Sequence, residues 1–347
     1  MAGAPKYSHT ELDKAGEILR DSTGSKDEQQ WALELLSSWR AAHNRPLNTF
    51  NVTLRNRLTA THRKVLVAQR LKRIPTVVDK LHRFPEMRLS RIQDIAGVRA
   101  VVGSVDDVRA MCDDYKNNHR LRCKFVREKN YIDHPKKDGY RGVHMIYQYS
   151  NPKTPERDGL LVEMQIRTDA QHAWATTVET MGTFLGFSLK SDEGPDDWRK
   201  FFALTGSAIA HLEGTQPVPG YESMSAADTF REVARQSQVL RVKEKLVSLR
   251  VTMGPISQYK LKDSYFLLTL DPDAKTTTLQ PFRKRRFARA RAKYLELEES
   301  TRGTSKQVVL VSTSSVTQLK NAYPNFFLNT KKFLQILKEI EQRARTS

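Results

Sequence analysis

The sequence predicts an α/β protein, a mixed β-sheet flanked by helices, followed by a helical connector and a small C-terminal α+β unit. Three observations carry this. Short β-rich runs, "GVRAVVG" (97–103), "RCKFVREKNYI" (122–132), "VHMIYQYS" (143–150) and "LLVEMQIRT" (160–168), alternate with segments of helical periodicity. Two of their connections are short loops rather than helical crossovers, which fits a mostly antiparallel or mixed sheet. Past residue 190 the pattern turns helical, and further strand-like runs follow residue 259. The expected units are therefore 1–190, 191–258 and 259–347.

Residues 9–45 read as helix, with Trp31, Leu33, Leu35, Leu36 and Trp39 on a broad apolar face, and Pro46 is expected to stop it. Residues 48–72 read as one helix dense in Arg and Lys, opened by an Asn or Thr cap. A short helix over 76–84 ends before Pro85, and "SVDDVRAMCDDYKNNHRL" is a helix with a serine cap and acids in its first turn. In the connector, "GPDDWRKFFALTGSAIAHLEG" and "SAADTFREVARQSQVLRVKEKLVSLRVTMG" are helices joined by the Pro- and Gly-bearing loop "TQPVPGYE". The last unit reads as strands "SYFLLTLD", "TTTLQPF" and "KQVVLVS", the basic helix "RKRRFARARAKYLELEES", and terminal helices.

Lys and Arg total 58 against 39 Asp and Glu, a formal charge of +19 that favours a polyanionic partner or substrate. A merely basic surface is the plainer alternative. No run of 18 apolar residues occurs, and the N-terminus lacks the apolar core of a signal peptide, so neither a membrane span nor export is expected. Cys112 and Cys123, without companion ligands, argue against a disulfide framework and a zinc site and point to a reducing cytoplasm.

Chemistry-bearing residues gather in four places. In "QRLKRIPTVVDKL", Arg70, Lys72 and Arg73 near a helix end and Lys80 from the next helix can grip a polyphosphate, although the same cations suit a solvated face. In "RIQDIAGVRAVV", Asp94 is placed to hold Mg²⁺ at a sheet edge, and Arg99 sits inside an apolar strand; the two also suit a buried ion pair. In "NYIDHPKKDGYRGVHMIY", Lys136, Lys137, Tyr140, Arg141 and His144 combine cations with an aromatic face, which suits a stacked base and phosphates or an ordinary turn with a surface tyrosine. In "VEMQIRT", Glu163, Gln165 and Arg167 alternate, so a strand sends all three to one face, with Glu163 a second candidate metal carboxylate.

Taken in order and spacing, "R-x-K-x3-T-x3-K" (70–80), "DIAGVR" (94–99), "YI-x2-PK-x2-GYRGVH" (131–144) and "VEMQIRT" (162–168) resemble the synthetase domain of the RelA/SpoT family, a nucleotidyltransferase-like fold, over about residues 50–190. The resemblance implies a pyrophosphokinase that moves the β,γ-diphosphate of ATP to a ribose 3′-hydroxyl and releases AMP. It implies that Arg70 and Arg99 sandwich the adenine and that Lys72 and Lys80 hold the ATP phosphates, with Arg73 beside them. It further implies that Asp94 and Glu163 bind Mg²⁺, that Glu163 helps deprotonate the acceptor, and that Tyr140 stacks on the acceptor base. Lys136, Arg141 and His144 would lie near the acceptor phosphates or the leaving charge, with Gln165 and Arg167 on the pocket floor. Departures are Thr76 where the family often has Ser, Asp138 where it often has Asn, and "VETMG" where a glutamate-histidine pair is common. A hydrolase domain of the family's helical type is not expected.

The segment "NAYPNFFLNTKKFL" (321–334) is similar to the tyrosine-containing segment of CapRel-type fused toxin-antitoxin proteins, toxic small alarmone synthetases. That likeness implies a tRNA 3′ end as acceptor, with a (p)ppGpp synthetase acting on GDP or GTP in the stringent response, or an inactive RNA-binding or sensor protein, as the alternative readings. It also implies an anti-phage toxin restrained by a C-terminal pseudo-zinc-finger-like domain until a phage protein binds, with Tyr323 and Phe326 as regulatory residues. Read from the residues alone, Tyr323, Phe326 and Phe327 equally form the core of a small domain.

Overall fold

The structure is a computed structural model that describes residues 8–60, 66–117, 123–185, 194–248, 264–271, 273–274, 276–301, 304, 306–313 and 330–346. Two helices open it, α1 (His9–Asp21) and α2 (Lys26–Ala42), each started by a serine capping box, Ser8 with Glu11 and Ser25 with Glu28. Their inner faces meet through Leu12, Ala15, Ile18, Ala32, Leu36 and Trp39. The next helix, α3 (Asn44–Ala60), begins at once, so Pro46 lies in its first turn instead of ending the preceding one. A first turn tolerates proline because the missing N–H has no intrahelical partner there.

The helix expected over 48–72 is the main correction to the fold. After α3 the chain forms a strand, β1 (Leu66–Leu71), which pairs antiparallel with β2 (Ala96–Val102). Leu, Ala, Gln and Arg favour helix locally, and pairing with an apolar neighbour overrides that preference. Between them lie α4 (Ile74–Arg83) and a turn of 3₁₀ helix at Leu89–Arg91. There follow α5 (Val105–Lys116), β3 (Lys124–Asn130), β4 (Val143–Gln148), β5 (Leu161–Thr168) and α6 (Asp169–Leu185). The five strands run in the order β1-β2-β5-β4-β3, with β2 and β5 parallel and every other neighbouring pair antiparallel. One face packs Val98, Ala100, Met145, Tyr147, Met164 and Ile166 against Phe50 and Leu54 of α3 and Val108, Met111 and Tyr115 of α5. The opposite face carries the polar residues.

Beyond α6 come α7 (Asp196–Leu212), α8 (Ala226–Val239) and α9 (Val242–Ser248). The helix expected to run unbroken through 240 is interrupted at Arg241, whose φ of 50° is left-handed. A second sheet follows, β6 (Ser264–Asp271), β7 (Thr276–Arg283) and β8 (Gln307–Thr313) in the order β7-β6-β8, all antiparallel. It carries α10 (Phe287–Ser300) through Ala290 and Tyr294, and β8 approaches β1. The last helix, α11 (Lys331–Thr346), leaves that sheet. Its Phe333, Ile336, Leu337 and Ile340 join Trp174, Trp198, Phe202 and Phe230, so the C-terminus returns to the connector helices and to α6. Among the described residues no helix is long and apolar enough to cross a membrane.

Candidate active site

Residues directly opposite in a sheet share a face, and the register therefore decides which side chains converge. Arg70 stands opposite Gly97, and Gly97 opposite Glu163. Arg99 stands opposite Gln165, which stands opposite His144, which stands opposite Lys129. One face thus carries Arg70, Arg99, Glu163, Gln165, Arg167, His144 and Lys129. A Cβ built at Gly97 would meet only the Arg70 carbonyl, at 3.8 Å, so the middle of this face is open.

Around Glu163 the side chains close a ring of hydrogen bonds. Its Oε1 lies 2.8 Å from His144 Nδ1, and the other imidazole nitrogen bonds the Tyr140 hydroxyl. Arg167 donates to that hydroxyl at 2.6 Å and to Gln165 Oε1 at 2.9 Å, and the Gln165 amide returns to Glu163 Oε2 at 2.7 Å. Against an ionised Glu163, His144 Nδ1 is the donor, and His144 Nε2 and the Tyr140 hydroxyl share the second bond. Burial works to raise the Glu163 carboxyl, but the imidazole and the Gln165 amide outweigh it and hold the group below its ordinary value. Arg99 reaches the same Gln165 oxygen, at 3.4 Å.

Beside this ring stands a carboxylate clamp. Asp94, just ahead of β2, accepts from Lys72 Nζ at 2.6 Å and from Lys80 Nζ at 2.9 Å. Lys72 is placed by the end of β1, where its N–H donates to the Ile95 carbonyl at 2.8 Å. Lys80 comes from α4, whose Ile74, Val77 and Leu81 are buried and fix its outer side. Burial would raise the Asp94 carboxyl; the two ammonium groups more than offset this and hold it well below the usual range. Burial in turn lowers Lys72 and Arg73. Arg73 also lies in the electrostatic field of Arg70 and of Glu179 on α6.

The loop between β3 and β4 takes its shape from Gly139, at φ 93°, where a Cβ would lie 2.9 Å from both Trp174 and the Phe202 carbonyl. Asp138 accepts the Tyr140 N–H at 2.9 Å and so closes the turn. Two expectations change here. Tyr140 is only 8% exposed, with Lys136 Nζ 5.3 Å and Arg167 Cζ 4.9 Å from its ring centroid, so it is not an open platform; Tyr131, in edge contact with it, is the more accessible ring. Arg141 is 2% exposed and spends its guanidinium on the Gln216 and Ile132 carbonyls and on Thr215. It anchors the loop to the segment after α7.

The structure therefore gathers Arg70, Lys72, Arg73, Lys80, Asp94, Arg99, Lys136, Tyr140, His144, Glu163, Gln165 and Arg167 at one face, and directs Arg141 away. Tyr323 and Phe326 lie outside the described residues. Sequence reasoning missed Lys129, which lies in the field of Lys136, Lys80 and Glu163, and Arg127, which bonds Gln93. Their alternation in "REK" is the available signal, obscured by the bulge between Phe125 and Arg127. His172 is buried within α6.

Residues 69–181 match the family described as "Region found in RelA / SpoT proteins". The GTP pyrophosphokinases YwaC and YjbM of Bacillus subtilis are 34% identical over 113 residues and 33% over 114. These matches cover 31% and 32% of this chain and 52% of each relative, so the chain spans about half the length of the curated relatives it matches. The crystal structure of small alarmone synthetase 1 from Bacillus subtilis bound to its product pppGpp aligns at 22% identity and a TM-score of 0.45, over 54% of this chain and 94% of that one. Residues 69–181 of this chain are thus similar to the region found in RelA and SpoT proteins.

Proposed function

We propose that the chain is a RelA/SpoT-type pyrophosphokinase, which moves the β,γ-diphosphate of ATP to a ribose 3′-hydroxyl and releases AMP. The observation that carries it is the pairing of two carboxylates, Asp94 and Glu163, on one open sheet face among Arg70, Lys72, Arg73, Lys80 and Arg99. Transfer of this kind asks for positioning and neutralisation of charge more than for covalent chemistry. In this reading Arg70 and Arg99 flank the adenine, and Lys72, Arg73 and Lys80 take the phosphates. Glu163, kept ionised by its ring, accepts the acceptor's proton.

Mg²⁺ fits the donor set. Asp94 and Glu163 offer hard oxygen ligands, and Mg²⁺ takes one or two carboxylates with the rest of its shell from phosphates and water. When bound it neutralises charge on the transferred group. Lys72 and Lys80 hold both Asp94 oxygens in the structure, so in the complex they exchange the carboxylate for phosphate oxygens.

For the acceptor, the reading is a tRNA 3′ end. Supporting it are the +19 charge and the exposed Arg283, Arg285, Arg286 and Arg289. The second reading, synthesis of alarmone on GDP or GTP, is favoured by the relatives named GTP pyrophosphokinases. The toxin role, restraint by the C-terminal unit through Tyr323 and Phe326, and release by a phage protein in the cytoplasm rest on resemblance alone. Incubation with γ-labelled ATP and deacylated tRNA, GDP or GTP separates these readings. Label in tRNA supports the first, and label in guanosine nucleotides alone supports the second. No labelled acceptor at all, under conditions where the protein is folded and Mg²⁺ is present, removes the pyrophosphokinase.

A further inference from the structure

The N-terminus of α4 is completed from a residue more than 200 positions away. Arg73, its cap residue, makes no side-chain cap, and Pro75 has no N–H to satisfy. The Ile74 N–H instead donates to Glu298 Oε1 of α10 at 3.1 Å. The other oxygen, Oε2, accepts from Arg40 of α2 at 3.3 Å, and Arg40 also donates to the Tyr294 hydroxyl at 2.9 Å. Arg40 is 2% exposed, Tyr294 7% and Glu298 8%, so three polar groups are buried together at the junction of α2, α4 and α10.

An open groove of about 390 Å³ lies beside this junction, bordered by Leu33, Ile74, Pro75, Leu295 and Glu298, and the bond from Ile74 N–H to Glu298 links α4 to α10 across it. A carboxylate at a helix N-terminus both satisfies an orphan donor and meets the positive end of the dipole. The helix it caps presents Lys80 to Asp94 and follows directly on Lys72 and Arg73.

We infer that Glu298 is a positioning residue for the ATP side of the site: from the C-terminal unit it caps α4 and so fixes Arg73 and Lys80 for the nucleotide. This rests on the pyrophosphokinase reading. It gives the C-terminal unit a constructive role at the cradle, so displacement of α10 weakens ATP binding and leaves the acceptor loop untouched.

Charge-balanced full-length variants test it. In Arg40→Met with Glu298→Gln, both charges go and the cap oxygen stays; in Arg40→Met with Glu298→Leu, the cap goes as well. Affinity is measured by titration with α,β-methylene-ATP, folding by circular dichroism melts, and KM and kcat with the labelled-ATP assay. The glutamine pair is expected to bind within about twofold of wild type, and the leucine pair roughly five- to tenfold more weakly, the size of one helix cap expressed as an affinity ratio. KM for ATP should rise by the same factor, with kcat at saturating ATP and KM for the acceptor unchanged. If the leucine pair does not fold, Glu298→Asp retracts the carboxylate and keeps the charge, and the same weakening is expected. Equal affinity in the cap-deleted and cap-retaining variants overturns the inference while wild-type binding leaves the pyrophosphokinase standing. Failure of wild type to bind the analogue overturns both.

Discussion

Glu163 and His144 meet through Oε1 and Nδ1 at 2.8 Å, and that bond decides what each can do. It fixes the imidazole tautomer, aims the opposite nitrogen at the Tyr140 hydroxyl, and helps keep the carboxylate ionised. His144→Ala should lower kcat by roughly 10- to 100-fold, the usual cost of losing a partner that orients a metal-binding carboxylate. Tyr140→Phe, which keeps the ring and breaks the link to Arg167, should lower kcat by about tenfold with little change in melting temperature. Initial rates with the labelled-ATP assay check both, and full activity in His144→Ala would remove the ring from the chemistry.

Asp94→Asn takes one charge from a site where two ammonium groups converge at 2.6 and 2.9 Å. Activity should fall by at least about 100-fold, since the change removes a metal oxygen and leaves Lys72 and Lys80 repelling each other. The fold should survive, because the clamp is partly exposed and the apolar cores lie elsewhere. Activity and a thermal melt on the same sample distinguish loss of chemistry from loss of fold.

Arg285, Arg286 and Arg289 crowd the start of α10, where a helix dipole disfavours cations. A bound polyanion relieves that cost. Replacing all three by Ala should weaken tRNA binding and reduce the slope of log K against log salt by about 2 to 3, near 0.7–0.9 per lost phosphate contact. Filter binding at several salt concentrations measures it; an unchanged slope would place the tRNA elsewhere.

His43, 1% exposed between α2 and α3, gives a pH-dependent stability. Burial, with the charge of Arg40 added, pushes its imidazole down to about 4, despite the bond from Nδ1 to the Trp39 carbonyl at 2.9 Å. The unfolded chain, near 6.5, takes the proton first as pH falls. The contribution is therefore whole above about pH 6.5 and is lost towards pH 4, by about 3 kcal/mol at most. Denaturant melts of wild type and His43→Gln across that range should converge as pH drops; parallel curves would contradict a buried neutral histidine.

Much of this site was legible in the chain. The alternation of Glu163, Gln165 and Arg167 required one polar strand face, and the four motifs placed the cations near two carboxylates. What could not be read was direction. Arg141 has the composition of an acceptor contact, yet the Gln216 carbonyl and the Thr215 hydroxyl after α7 claim it, and no local pattern announces a partner 74 or 75 residues away. β1 was hidden because helix-forming residues became a strand only through pairing with β2.

By itself the sequence determined the α/β class, the polar face, the candidate residues and the basic charge, because these follow from periodicity and side-chain chemistry that neighbouring residues express without help. Only the tertiary structure decided the five-strand register, the closed ring around Glu163, the lysine clamp on Asp94 and the reach of Glu298 to Ile74. Each depends on long-range pairing, in which a buried donor or acceptor takes whichever partner the packed chain brings within about 3 Å.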